Sequence, residues 1–582
     1  MKTLSFLLLL GIARAQTRRV DDAALKNAGK SGEEWLTYGF SQGETRYSPL
    51  NQINPSNAGS LALKWSYDLG NGGGPQEATP LLWNGTIYGV TNWSIVFALD
   101  ARTGKEKWRW DPEVSPGVRA KLCCGVVNRG LALYNGTIIA AINDGRLQAI
   151  DAETGKPVWE ARVGYPQDDY TLTMAPRIAK GKVIIGASGG DRPTRGFFDA
   201  YDAATGKRAW RFYTVPGDPA KGFENSSMRK AAATWEGEWW KWGGGGAVWD
   251  GMAYDPDSDL IYIGTGNAEP WPQTLRKAQG KDNLYVASIL ALQPETGELK
   301  WHYQTAPGDS WDYDAVQHMI LADLNINGKT RKVLMQANKN AFFYVLDRVN
   351  GQFIQAQPFS QVTWAKGIDP KTGRPIVNPE AIYGGDSIAI TPGGGGAHNW
   401  SPMSYNPATG LVYIPTSTAN TFTYASQDTF EPKPGTPQGT IGLKRSPEAK
   451  LPPPPAIGPA PLEGQGNRGA LVAWDPVAQQ IRWRQPGGGG IGGGTVTTAG
   501  NLVFQVVNNG HLMAYSADKG EKLLDVDTGL KGGMGPPITY QLDGKQYIAL
   551  MGGTGAVPPR EGQTPPPAAS IALPKLLTYM LP

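Results

Sequence analysis

"FALDARTGKEKW", ending at Trp108, returns as "QAIDAETGKPVW" at Trp159, "DAYDAATGKRAW" at Trp210 and "LALQPETGELKW" at Trp301. Weaker copies end at Phe353, Trp483 and Leu524. Each reads as an apolar strand, a tight Asp-x-x-Thr-Gly turn and a second strand closed by a large residue, which is the pattern of a β-hairpin. The first three copies stand 51 residues apart, and a hairpin repeat of ~40–50 residues marks a propeller. One blade can bury its faces only against its neighbours, so the ring must close, and the repeated Trp is placed to pack each blade on the next. "SLALKWSYDL", around Trp65, reads as the matching strand of the first blade and brings the count to eight. The fold expected is all-β, an eight-bladed β-propeller. The long gaps from Trp210 to Trp301 and from Phe353 to Trp483 call for insertions, and the Pro-rich stretch 431–464 predicts an irregular surface loop.

Composition agrees with this reading. The 76 Gly and 46 Pro supply turns, and the 20 Trp and 23 Tyr supply strand-forming aromatics. A net charge of only +4, with no basic stripe, argues against a nucleic-acid partner. The start, "MKTLSFLLLLGIARAQ", has a basic residue, a short apolar core and Ala13-Arg14-Ala15, the order of a secretory signal. The domain plan is therefore a signal peptide over 1–15 and one propeller over 16–582. No later run of ~18 apolar residues predicts a membrane span. Export would put the mature chain in an oxidising compartment, with the periplasm expected.

Cys123 and Cys124 are the only cysteines, and they are adjacent. Neighbours cannot staple distant segments, and in isolation they could be two reduced, buried thiols. The phrase that holds them, "CCGVVNRG", occurs together with "GTGNAEPW", "GDSWDYDA" and "GGAHNWSPMSYNPATGLVYIP". These motifs, in this order, resemble the pyrroloquinoline quinone (PQQ)-dependent alcohol dehydrogenases of the methanol/ethanol type, over about Glu33 to Gly555.

That resemblance implies a vicinal disulfide between Cys123 and Cys124 lying against one face of PQQ, with Trp249 covering the other. A planar, polyanionic cofactor needs such a flat sandwich with polar groups at its rim. By the same likeness Arg129 pairs with a cofactor carboxylate, Glu77 and Asn399 make contacts, and Thr173 with Ser188, Gly189 and Gly190 supply hydroxyl and backbone donors. Lys339 stands where the family places a cation beside the quinone carbonyls. The family's metal ligands fall on Asn267, Asp312 and, in place of a Glu, the shorter Asp191. Asp191 could equally be a turn residue that has lost the ligand role. Asp314, two residues after Asp312, matches the lanthanide-dependent branch, because a trivalent hard cation favours more carboxylates than calcium does. On an extended segment alternate residues point the same way, so Asp312 and Asp314 could converge on one ion; taken alone, Asp314 could be a solvated loop acid.

The resemblance implies oxidation of a primary alcohol to an aldehyde, with Asp312 as catalytic base, PQQ and one metal ion (lanthanide or Ca2+) as cofactors, and a soluble cytochrome c or similar carrier as electron acceptor. Oligomeric state, a homodimer included, stays open. No Cys-x-x-Cys-His occurs, so no covalent c-type haem is expected, which sets the chain apart from the quinohaemoprotein branch. The four histidines lack ligand spacing, and the runs at Gly243–Gly246, Gly393–Gly396 and Gly487–Gly490 are expected to let backbone approach the ring centre. The alternative is a secreted, non-catalytic propeller scaffold of the outer-membrane assembly type, which needs the repeat but neither the Cys pair nor the acids.

Overall fold

The chain forms a closed ring of eight four-stranded antiparallel blades. The structure, a computed structural model, describes residues 19–189, 191–418, 420–430, 441–444, 448–462, 469–487, 493–555 and 573–582. The proposed signal peptide, Gly190, parts of the 431–464 insertion and most of the third glycine run lie outside these residues.

Blades 1 to 5 follow in chain order, their first strands being Leu81–Trp83, Leu131–Tyr134, Arg177–Ala179, Met252–Asp255 and Ile320–Ile326. Blades 6 and 7 begin with Ser404–Asn406 and Thr495–Thr498. Blade 8 is built from Ile538–Leu542, Lys545–Gly552 and Lys575–Met580, and its outer strand is Ala62–Asp68. The Trp65 strand therefore closes the last blade instead of belonging to the first. Pairing the start of the chain with its end leaves the ring no free edge. In blade 1 the first strand, Leu81–Trp83, is inside and buried, while the fourth, Glu106–Trp110, faces largely to solvent.

The repeat is an interlock between blades. Asp151 Oδ1 accepts from Thr154 N (2.8 Å) and Thr154 Oγ1 (2.7 Å), which fixes the turn, and Asp100 and Asp202 do the same in their copies. Gly155, at φ +73°, then faces the Trp108 ring of the preceding blade; a Cβ there would lie 2.7 Å from Trp108 Cδ2. The Trp108 indole N–H donates to Ala152 O (3.0 Å), and Trp65, Trp159, Trp210 and Trp483 repeat the contact with the next blade. Gly155→Val meets both an unfavourable φ and an occupied space. It should lower stability by about 2 kcal/mol, whereas Glu153→Val on the exposed turn should cost almost nothing. Equal denaturation midpoints for the two variants would overturn this account.

One feature had no repeat to announce it. Residues 35–48 wind around the axis and tie the inner strands together. Trp35 and Leu82 exchange backbone hydrogen bonds (both 2.9 Å), and carbonyls of Gln42, Gly43, Thr45 and Arg46 accept from Tyr254, Leu321, Tyr405 and Thr497 in blades 4 to 7. Tyr47–Ser48 adds in parallel to Thr495–Thr498. The fully buried Arg46 reaches Thr495 O (2.8 Å), Tyr38 O (2.9 Å) and Pro537 O (2.7 Å).

The insertions are ordered where described. The first carries the helices Ser226–Ala232 and Gln273–Arg276, and the second carries two two-stranded sheets. Within the Pro-rich stretch, Leu451 and Ile457 bridge to Ile388 and Val362, and Leu443 is buried. These parts therefore pack on the molecule and are not a loop free in solvent.

Candidate functional site at the mouth of the ring

Antiparallel pairing puts the start of each first strand beside the end of the second. Glu77, Arg129, Thr173, Trp249, Asp312, Asp314 and Asn399 all lie just before first strands, while Ser188, Asp191, Asn267 and Lys339 follow second strands. Residues spread over more than 300 positions thus gather at one rim.

Cys123 and Cys124 are bonded to each other, and both are exposed. Protein recovered from an oxidising compartment should show an intact mass lighter by two hydrogens than the dithiol; two free thiols would overturn the pairing. Trp249 is half-buried, with the Arg129 guanidinium 4.9 Å from its ring centroid and 5.9 Å from that of Trp400. Arg129 Nη1 donates to Thr173 Oγ1 (2.9 Å) and Trp249 O (3.3 Å), and Thr173 Oγ1 lies 2.9 Å from Ser188 Oγ. Two buried acids flank the guanidinium: Glu77 Oε2 at 2.8 Å and Asp250 Oδ2 at 3.6 Å. Burial pushes the Glu77 carboxyl up to about 6, against the pull of Arg129. Asn399 is half-buried and bound locally, its Nδ2 donating to Gly395 O (2.9 Å). Gly189 O accepts from Thr194 Oγ1 (2.9 Å).

Across the mouth, Lys339 Nζ sits 2.8 Å from both Asp312 Oδ2 and Asp314 Oδ2. The two acids meet there because the segment turns: Asp312 has φ +67°, and Asp309 Oδ1 accepts from the backbone N–H groups of Trp311 (3.2 Å) and Tyr313 (3.1 Å). The simple alternation of an extended strand is not what aligns them. Burial raises the Asp312 carboxyl well above the usual range, opposed by Lys339 and reinforced by Asp314 and Asp191. Burial works against the Lys339 charge, but the two acids outweigh it and raise its pKa. Asp314 Oδ1 accepts from Asn267 N (2.7 Å), and the Asn267 side chain suits its neighbours with nitrogen toward Asp314 (3.3 Å) and oxygen toward Trp271 Nε1 (2.9 Å). Trp271 Nε1 also lies 3.0 Å from Asp191 Oδ1. Burial raises Asp191 as well.

The glycine runs act as expected where described. A Cβ on Gly396 would fall 2.1 Å from Lys339 Cγ, and one on Gly245 would fall 2.4 Å from Asn267 O. The four histidines are held separately: His318 beside Glu44, His398 on Pro415 O, His302 against Tyr285 and His511 on Asp525.

Three site residues escaped the sequence reading. Trp271 closes the quoted "GTGNAEPW" and bridges Asp191 and Asn267; its own N–H donates to Ile441 O (2.9 Å) of the insertion. Asp250 follows Trp249 directly, and Trp400 follows Asn399. For Asp250 and Trp400 the available signal was an acidic or aromatic residue directly after a chosen one and just ahead of a strand; for Trp271 it was the large residue that ends the motif, ahead of the helix Gln273–Arg276.

The donors match both groups that the resemblance implies. Arg129 Nε and Glu77 Oε2 are buried without an aligned hydrogen-bond partner, beside an indole face and an open disulfide, a cradle for a flat anionic molecule. Asp191, Asn267, Asp312 and Asp314 offer only oxygen donors, as a hard cation prefers. Among the described residues, no three His, Cys, Asp or Glu side chains are drawn into a metal cluster by themselves; Lys339 and Trp271 hold these acids.

Such a mouth on an eight-bladed ring defines a propeller built around a planar redox cofactor. Residues 35–362 match the family described as "PQQ: Glucose/ethanol/alcohol dehydrogenase, beta-propeller domain". Quinohemoprotein alcohol dehydrogenase ADH IIB of Pseudomonas putida is 49% identical over 541 residues, covering 92% of this chain and 76% of that protein. The 1-butanol dehydrogenase (cytochrome c) of Thauera butanivorans is 42% identical over 534 residues, covering 90% and 75%. Among solved structures, quinohemoprotein alcohol dehydrogenase from Comamonas testosteroni aligns with a TM-score of 0.85 at 44% identity, covering 95% of this chain and 81% of that one. A europium-containing methanol dehydrogenase aligns with 0.84 at 33% identity, covering 96% and 100%. The chain belongs to the PQQ-dependent alcohol dehydrogenase family, and it is an oxidoreductase. These similarities set the non-catalytic scaffold aside. They also correct the separation from the quinohaemoprotein branch: the propeller is similar to those enzymes' own, and a Cys-x-x-Cys-His motif reports on haem attachment, not on propeller sequence.

Proposed function

We propose that this chain oxidises a primary alcohol to an aldehyde in the periplasm and passes the electrons to a soluble cytochrome c. The observation that carries the reading is the Asp312 carboxylate held 2.8 Å from Lys339 at the mouth of the ring. PQQ, when bound, supplies the two-electron acceptor, and a hard cation beside it supplies Lewis acidity. Cys123, Cys124 and Trp249 would bound its flat faces, with Arg129, Glu77, Thr173, Ser188, Gly189 and Asn399 at its rim. Asp191, Asn267, Asp312 and Asp314 would hold the cation. Asp312 takes the alcohol's hydroxyl proton. Burial makes it a stronger base than a solvated Asp, and Lys339 keeps its ionised form within reach. A Cβ on Gly394 would lie 3.2 Å from Asp312 Oδ2, so glycine leaves that oxygen approachable.

The acceptor is supported by the name of the Thauera butanivorans relative, and export by the basic–apolar–small pattern at the start of the chain. Among the described residues, no helix is long and apolar enough to cross a membrane. The test is reconstitution of metal-free protein with PQQ and a metal, followed by alcohol-dependent reduction of cytochrome c. Absence of a bound quinone absorption band, or a bound quinone that no primary alcohol reduces, would refute the assignment.

A further inference from the structure

We propose that the cofactor pocket takes up one proton as it binds its anionic ligand, and that Glu77 carries it. This rests on the reading of the pocket as the PQQ site. The argument starts from a charge count. One guanidinium, Arg129, lies between two buried carboxylates, Glu77 at 2.8 Å and Asp250 at 3.6 Å. Burial raises the Asp250 carboxyl too, and Glu44 adds to this, but Asp250 has further support from behind: Arg177 acts on it besides Arg129, Arg177 itself is paired with Glu44 (2.7 Å), and the Gly251 N–H bonds to Asp250. Among the described residues, Glu77 faces only Arg129 and Asp250 as charged groups, and its Oε2 has no aligned hydrogen-bond donor.

The Arg129 guanidinium must also serve an incoming carboxylate, since its Nε is a buried donor that makes no hydrogen bond and has Asp250 Oδ2 no nearer than 3.6 Å. Three carboxylates would then share one cation in a site walled by Trp249 and Trp400. An unpaired buried charge is costly, and a carboxyl group in that position gives up its charge more cheaply than it keeps it. Glu77 is the group placed to do so, because burial already raises its carboxyl to about 6 while Arg129 and Asp250 pull in opposite directions. A protonated Glu77 also becomes a donor, so two facing carboxyl groups turn from a repulsive pair into a hydrogen-bonded one.

The consequence is a pH-dependent affinity. Binding that takes up one proton weakens by about tenfold per pH unit above the pKa of the free group. The experiment is calorimetric titration of metal-free protein with PQQ, in chelator, at pH 7.5, in two buffers of different ionisation heat. The wild type should take up about one proton per PQQ bound. Glu77→Gln, which is neutral at every pH, should bind with uptake close to zero and with affinity that no longer falls from pH 7 to pH 8. Difference infrared spectra of the wild type provide a reading that needs no variant: a protonated carboxyl band should appear on binding. Binding with equal uptake in both proteins, or binding without that band, overturns the proposal alone. Absence of PQQ binding to the wild type overturns the assignment of the pocket and this proposal with it.

Discussion

Asp312→Asn will lower turnover by about a thousandfold while PQQ and metal stay bound. The substitution is nearly isosteric, and an amide oxygen can still accept from Lys339, whose ammonium lies 2.8 Å from Asp312 and equally close to Asp314. The turn that presents the residue depends on Asp309 and the N–H groups of Trp311 and Tyr313, which the change leaves alone. An amide cannot accept the hydroxyl proton. The loss should therefore appear in kcat, with an unchanged quinone absorption band and an unchanged melting profile. Lys339→Met is the informative companion. It removes the cation that opposes the upward push of burial on Asp312, so Asp312 stays protonated to higher pH and the acidic limb of the rate profile moves to higher pH. If Asp312→Asn kept most of the wild-type rate with both cofactors bound, another group would be the base.

The parts of this molecule that were legible in its sequence share a property: their physics is local. Asp151, Thr154, Gly155 and Trp159 fix a turn and present an indole within a few residues, so the pattern recurs wherever a blade recurs. Blade 8 was readable only as a Trp-bearing strand, because its partner strands lie some 500 residues away and no local rule names them. The axial segment 35–48 meets blades 1 and 4 to 7, each through a different residue, and so leaves no period. At the mouth, motif likeness singled out Cys123, Cys124, Asp312 and Lys339. It passed over Trp271, Asp250 and Trp400, whose contribution is to aim or pair another residue and which have no chemistry of their own to announce. The meeting of Asp312 and Asp314 was expected for the wrong geometric reason. The turn at Asp312 requires a positive φ that strand periodicity cannot encode.

Asp314→Ala is expected to reduce lanthanide-dependent activity by about 10- to 100-fold and to spare, or raise, calcium-dependent activity. The wild type should in turn work better with a light lanthanide than with calcium. With Asp191 and Asp312, Asp314 would bring three carboxylates to an ion held beside Asn267, and a trivalent ion offsets that charge better than a divalent one. In a calcium site the third acid is a buried anion with less positive charge to balance it. The shorter side chain at Asp191, tied to Trp271 Nε1 at 3.0 Å, acts against binding of either ion and does not discriminate between them. Asp314 also has a second task, because its Oδ1 receives the Asn267 backbone N–H at 2.7 Å, so an Ala could disturb the site without any metal. Asp314→Asn separates the two effects. Its amide oxygen can still accept that N–H, while the negative charge is gone. If charge decides the metal, Asn and Ala should show the same shift toward calcium. If the hydrogen bond decides, Asn should behave as wild type. Removing the acid also relieves a repulsion that helps hold Asp312 protonated, so with calcium both variants should reach half-maximal rate at a lower pH than the wild type. Full activity of the wild type with calcium and none with lanthanum would end the lanthanide assignment and leave Asp314 as the acid that fixes Lys339 and Asn267.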